Sequence, residues 1–279
     1  MVTARDVHLD DGRTLVVHDS GPCAGALAVV WHHGSPQTGA LLPPLLAACE
    51  QRSVRLVSYG RPSYGGSTPL PGRDVASAAS DVAQVADALG LDRFATMGAS
   101  GGGPHALACA ALLPDRVTSV ACLASIAPPT PGDDGWFAGM AAPGALRAAL
   151  AGRRARARYA ATEAFDPEVF TAADWTALDG PWSSLGEDSQ LAGQAGPDGL
   201  VDDDVAFAAP WGFDLAAVTA PVLLVQGGQD RMIPPAHVEL LRQALPRAEV
   251  WLRPDDGHVS VLQACPAALD WLLARAGAA

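Results

Sequence analysis

Apolar runs of strand length and stretches of helical periodicity take turns along most of this 279-residue chain. That alternation leaves few folds open, because parallel strands joined by helices need a sheet that is covered on both faces. Buried strands are expected at residues 26–31, 54–58, 93–97, 117–123, 222–226 and 249–252, and helices at 40–51, 74–89, 103–113, 235–245 and 259–275. The chain opens differently. Residues 7–9 and 14–18 flank Asp10-Asp11-Gly12-Arg13, a turn signal for an antiparallel hairpin at one edge. Together these runs predict an α/β fold, with a mostly parallel twisted sheet of about eight strands and helices on both faces.

The alternation stops once. Residues 128–213 show no convincing strand, only short helical patterns, Trp and Phe clusters and Pro-Gly stops. The expected division is therefore a core of 1–127 and 214–279 with a helical cap of 128–213 inserted into it. That segment holds 13 Asp and Glu against 5 Arg, an excess that ordinarily marks a solvated face.

Composition excludes several chemistries. All 18 basic residues are Arg, so Schiff-base and pyridoxal phosphate chemistry and a lysine-bearing phosphate loop are ruled out. Asn is also absent, which removes N-glycosylation and any side-chain oxyanion hole built on Asn. A net charge of −12 argues against a nucleic-acid partner. No apolar signal core or spanning stretch is visible, so no membrane partner and a cytoplasmic location are expected. The five Cys match no metal spacing and read as reduced, packed thiols.

The sharpest motif is Gly98-Ala99-Ser100-Gly101-Gly102, a G-x-S-x-G string between a strand ending at Met97 and a helix opening with Gly103-Pro104. A serine at that junction takes a strained backbone, and the flanking glycines let strand and helix pass. Its hydroxyl needs a base, and the base needs an orienting acid. Asp230 follows the apolar strand ending at Gln226, and His258 follows the next strand. Both therefore stand at strand C-terminal ends, where sites lie in open parallel sheets.

These residues resemble the α/β-hydrolase fold family over essentially the whole chain outside the cap. His33-Gly34-Ser35-Pro36 is similar to its H-G-x-P segment, and Arg61-Pro62-Ser63-Tyr64-Gly65-Gly66-Ser67 to its R-P-G-x-G-x-S loop. The resemblance implies Ser100 as nucleophile, His258 as general base and then acid, and Asp230 as the residue fixing the imidazole. It also implies an oxyanion hole from the backbone N–H groups of Ser35 and Gly101. Two positions depart from the pattern: Tyr59-Gly60-Arg61 lacks the local acid that braces Arg61 in relatives, and Ser63 stands where Gly is usual. Ser100 argues against epoxide hydrolases and haloalkane dehalogenases, which place Asp at the elbow.

Among other residues, Asp133 or Asp134 is the alternative acid, and His237, read as a surface residue at a helix start, is the alternative base. His32 and His33 do not have metal-ligand spacing, so neither metal nor cofactor is expected. His105 is expected beneath the elbow. Trp136, Phe137, Trp182 and Trp211 are candidate substrate contacts as well as cap core. Glu163, Asp166, Glu168 or Glu187 could bind a cationic group, as the chain's resemblance to proline iminopeptidases implies. The expected activity is a serine hydrolase, carboxylesterase-like, cleaving an ester or amide of a small, largely uncharged substrate through an acyl-enzyme. Aminopeptidase action, C–C bond hydrolysis, cofactor-free perhydrolysis and a non-catalytic ligand receptor remain alternatives.

Overall fold

A computed structural model describes residues 2–22, 27–130, 132 and 134–276. Its eight strands are β1 (Thr3–His8), β2 (Thr14–Asp19), β3 (Ala28–His32), β4 (Arg55–Tyr59), β5 (Phe94–Ala99), β6 (Val117–Leu123), β7 (Val222–Gly227) and β8 (Ala248–Arg253). They form one sheet in the order β1-β2-β4-β3-β5-β6-β7-β8. The β1–β2 hairpin is antiparallel, β2 runs antiparallel to β4, and the remaining pairs are parallel. The expected sheet and edge hairpin are both present.

Residue alternation along the strands explains the two layers. Val30 of β3 and Leu224 of β7 enter one apolar cluster, while Val29, Trp31, Leu223 and Val225 enter the other, because successive strand side chains point to opposite faces. On the first face lie α2 (Ser77–Ala88), α3 (Gly102–Leu112) and α9 (Ala236–Ala244), contributing Val82, Val85, Leu107 and Leu241. On the second lie α1 (Pro43–Glu50) and α10 (Cys265–Ala276), contributing Leu45, Leu269 and Leu272. The helix expected over 259–275 is in two parts: a 3-10 helix at Ser260–Ala264 precedes α10.

Between β6 and β7 the described residues contain no strand. They form α4 (Gly144–Leu150), α5 (Arg153–Ala160), α6 (Ala172–Leu178), α7 (Ser183–Gln194) and α8 (Asp198–Ala208), with short 3-10 turns. The acidic excess of this insertion is not a solvated face throughout. Asp174, Asp188, Asp202, Asp203 and Asp204 are buried, and each has a polar partner, although at Asp204 burial outweighs the Arg156 partner and raises the carboxyl to about 7. The described cysteines, Cys49, Cys109, Cys122 and Cys265, are free and buried, and Cys23 lies outside the described residues.

Candidate active site

Three loops at the C-terminal ends of β5, β7 and β8 bring Ser100, Asp230 and His258 together. Ser100 has a positive φ of 51°, a conformation strained for a side-chain-bearing residue, and its N–H donates to Leu123 O at 2.8 Å. The glycines around it are steric necessities. A β-carbon at Gly98 would stand 2.4 Å from Gly102 O, and one at Gly102 would stand 1.9 Å from His32 O.

Ser100 Oγ lies 3.0 Å from His258 Nε2, and His258 Nδ1 lies 2.8 Å from Asp230 Oδ2. Asp230 is itself fixed. Its Oδ1 accepts from the N–H groups of Met232 (2.9 Å) and Ile233 (2.8 Å), and its Oδ2 from Gln226 Nε2 (3.3 Å). Burial alone would push the His258 imidazole down. The charge and hydrogen bond of Asp230, with the charge of Asp174 behind it, outweigh burial and hold it above its ordinary value. A base with a raised pKa, hydrogen-bonded to a hydroxyl on one side and a carboxylate on the other, can draw off the hydroxyl proton and return it to a leaving group.

The His33-Gly34-Ser35-Pro36 loop lies against this elbow. A β-carbon at Gly34 would be 3.7 Å from Ser100 Cβ, and one at Gly101 would be 2.7 Å from Ser35 Oγ. Among the described residues, neither the Ser35 nor the Gly101 amide donates to another protein group. The Ser35 hydroxyl is committed, donating to Asp203 and accepting from Arg61 Nη2 at 2.9 Å.

Sequence reasoning found no acid for Arg61, and the structure supplies one from the insertion. Arg61 Nη2 and Arg73 Nη2 reach Asp203 of α8 at 2.7 and 2.6 Å, and the Tyr64 hydroxyl donates to it at 3.0 Å. Burial would raise the Asp203 pKa, but the charges of Arg61 and Arg73 outweigh it and hold the carboxyl well below the usual range. Arg61 also donates to His33 O at 2.5 Å, so the ion pair braces the loop beside the elbow. Two more insertion carboxylates act on neighbouring loops. Asp188 of α7 accepts from the Thr38 N–H at 3.0 Å and from its hydroxyl, and Asp174 of α6 accepts from the loop after His258. Phe207, one turn beyond Asp203, completes the contact: a β-carbon at Gly101 would be 2.8 Å from its ring.

Other sequence candidates lie elsewhere. Asp134 is at the surface, paired with Arg147 at 3.3 Å, and Asp133 lies outside the described residues. His237 is buried, correcting its reading as a surface residue. The backbone at Ala127 and Trp136 covers it: Nε2 lies 3.0 Å from Trp136 O and Nδ1 accepts from the Ala127 N–H at 3.2 Å. Burial pushes that imidazole down to about 4. His105 lies beneath the elbow as expected, with Nδ1 2.8 Å from Gly101 O. His33 has both ring nitrogens occupied, by Gly34 O and the Arg61 N–H.

Trp136, Phe137, Trp182 and Trp211 are all buried within the apolar clusters. Trp136 Nε1 donates to Ala127 O at 2.9 Å and Trp211 Nε1 to Phe207 O at 3.3 Å. Glu163 pairs with Arg156 at 2.9 Å, while Asp166, Glu168 and Glu187 are exposed.

Comparison with known proteins places the fold. The chain is 26% identical over 257 residues to a protein named as a carbamate hydrolase, RutD, from Caulobacter sp. (strain K31), covering 89% of each. It is 28% identical over 253 residues to a non-heme chloroperoxidase from Streptomyces lividans, covering 85% of this chain and 88% of that one. Among solved structures, a thermophilic esterase from Thermogutta terrifontis superposes with a TM-score of 0.72 at 23% identity over 98% of both chains. A family model described as the alpha/beta hydrolase fold matches residues 28–264. The sheet order, the strained elbow and that match together establish that the chain belongs to the alpha/beta-hydrolase fold family.

Proposed function

We propose that this protein is a serine hydrolase that cleaves an ester or amide bond of a small, largely uncharged substrate through an acyl-enzyme. The observation that carries the reading is the unbroken line from Asp230 Oδ2 to His258 to Ser100 Oγ, with steps of 2.8 and 3.0 Å. His258 Nε2 takes the Ser100 proton as Oγ attacks the substrate carbonyl carbon, and negative charge moves onto the carbonyl oxygen. The Ser35 and Gly101 amides would receive that charge, each such donor contributing roughly 3 kcal/mol at the transition state. Collapse breaks the bond to the alcohol or amine, which leaves with the proton held by His258. Water, deprotonated by the same imidazole, then releases the acid and frees Ser100.

Residues 128–213 are read as the cap, with Phe207 bordering the acyl position. Esters rank ahead of amides for substrate, since the four acids considered for a cationic group are exposed or, for Glu163, also paired with Arg156. Steady-state turnover of p-nitrophenyl acetate, with covalent labelling of Ser100 by a fluorophosphonate, tests the reading. Turnover that survives in Ser100→Ala, or an unlabelled Ser100 in the folded wild type, would sink it.

A further inference from the structure

Asp174 lies in the insertion, yet it grips the loop that carries His258. Its Oδ1 accepts from the N–H groups of Val259 and Ser260, both at 2.8 Å, and from Ser260 Oγ at 2.9 Å. Its Oδ2 accepts from the N–H and hydroxyl of Thr171, both at 2.9 Å, closing a capping box at the start of α6. One carboxylate thus satisfies N-terminal N–H groups of two helices, α6 and the 3-10 helix that follows His258. The fit is close. A β-carbon at Gly257 would stand 2.0 Å from Asp174 Oδ2, and the Gly257 N–H donates to Ser260 Oγ at 2.7 Å. The residues on both sides of His258 are therefore fixed by a group about 85 positions earlier in the chain.

We infer that Asp174 is a positioning residue for His258: it locks residues 257–260 so that the imidazole faces Ser100, which makes the insertion a fixed wall of the site. The inference rests on His258 acting as the base. The charged groups around the imidazole are Asp230 from the loop after β7, Asp174 from α6, and, on its own loop, Asp256 paired with Arg253. Burial disfavours the imidazolium, and Asp230 and then Asp174 oppose that effect. Loss of the Asp174 charge therefore moves the His258 titration to lower pH.

Two readouts separate this inference from the serine-hydrolase reading. NMR titration of the His258 imidazole, assigned by its loss in His258→Gln, reports on Asp174 without any need for turnover. The rate of fluorophosphonate labelling reports on Ser100. In Asp174→Asn, which is nearly isosteric, the His258 titration moves to lower pH and labelling slows by about tenfold or more, as expected for a misplaced base. Thr171→Val loosens the same helix end but spares the Oδ1 contacts, so it lowers the melting temperature and leaves the titration in place. Ser260→Ala, which removes the hydroxyl between Asp174 and Gly257, slows labelling by a few-fold relative to the wild type; if Asp174→Asn does not fold, a wild-type labelling rate in folded Ser260→Ala overturns the inference. An unchanged titration and labelling rate in folded Asp174→Asn, or an equal titration shift in Thr171→Val, would overturn the inference. An unlabelled wild type overturns the serine reading instead, while the titration still decides the role of Asp174.

Discussion

In the sheet, most of the deepest side chains are apolar: Leu15, Val30, Leu56, Met97 and Leu123 are fully buried among others of their kind. In the insertion, three buried carboxylates reach the core's loops, with Asp174 on the His258 loop, Asp188 on Thr38, and Asp203 on Arg61, Arg73 and Ser35. Apolar burial is non-directional, so it stabilises a layer without fixing one loop at one angle. Hydrogen bonds to a buried carboxylate have a direction and fail if it is lost. The core is thus stabilised by area and the site by geometry.

The contrast breaks first at Asp203. Asp203→Ala leaves Arg61 and Arg73 buried without their counter-charge, and is expected to lose about 3–5 kcal/mol in urea unfolding. A loss below about 1 kcal/mol would show that the insertion is held mainly by its apolar contacts. Leu15→Ala, in β2 three places from β5, sharpens the core side. It should cost roughly 2–4 kcal/mol while the folded protein keeps its fluorophosphonate labelling rate.

A smaller effect is expected on acidification. The folded-state pKa of Asp203 is depressed, so its contribution is present above the ordinary carboxylate pKa of about 4 and is lost as pH falls toward the folded value. The melting temperature of the wild type should therefore fall from pH 5 to pH 3 by more than that of Asp203→Asn. The smallest effect belongs to Asp134→Ala in the insertion, whose side chain is 90% exposed opposite Arg147. Urea unfolding should change by no more than about 0.5 kcal/mol.

What could be read from the sequence divides along the same line. The central strands and the core helices have an apolar period that survives in the local string, so β3, β7 and α9 are legible without any contact, whereas β1, expected at 7–9, is the mostly exposed Thr3–His8 and carries no such period. The elbow is legible because the steric conflict at Gly98, against Gly102, involves close neighbours in sequence, whereas the one at Gly102 is with the distant His32. Asp203 and Arg61 are separated by 142 positions, and no local pattern marks a carboxylate as the partner of a distant guanidinium. Asp202-Asp203-Asp204 therefore looks like a solvated run. His237 misled for the converse reason, since a Pro-Pro helix start is usually at the surface and only the Trp136 segment folded over it places it inside. Thr171-Ala172-Ala173-Asp174 did carry a helix-start signal, but its second use at the His258 loop has no trace in the string.

Asp202, Asp203 and Asp204 are consecutive on α8, and each answers to a different arginine: Arg153 for Asp202, Arg61 and Arg73 for Asp203, and Arg156 for Asp204. Consecutive helical residues are turned about 100° from one another, so these anchors hold the helix by three sides and set its roll about its own axis. Deleting one residue between Asp198 and Asp202 would swing every anchor off its mate at once, whereas the exposed residues 164–168, beyond the Glu163–Arg156 pair, are where a designer can splice in a tag.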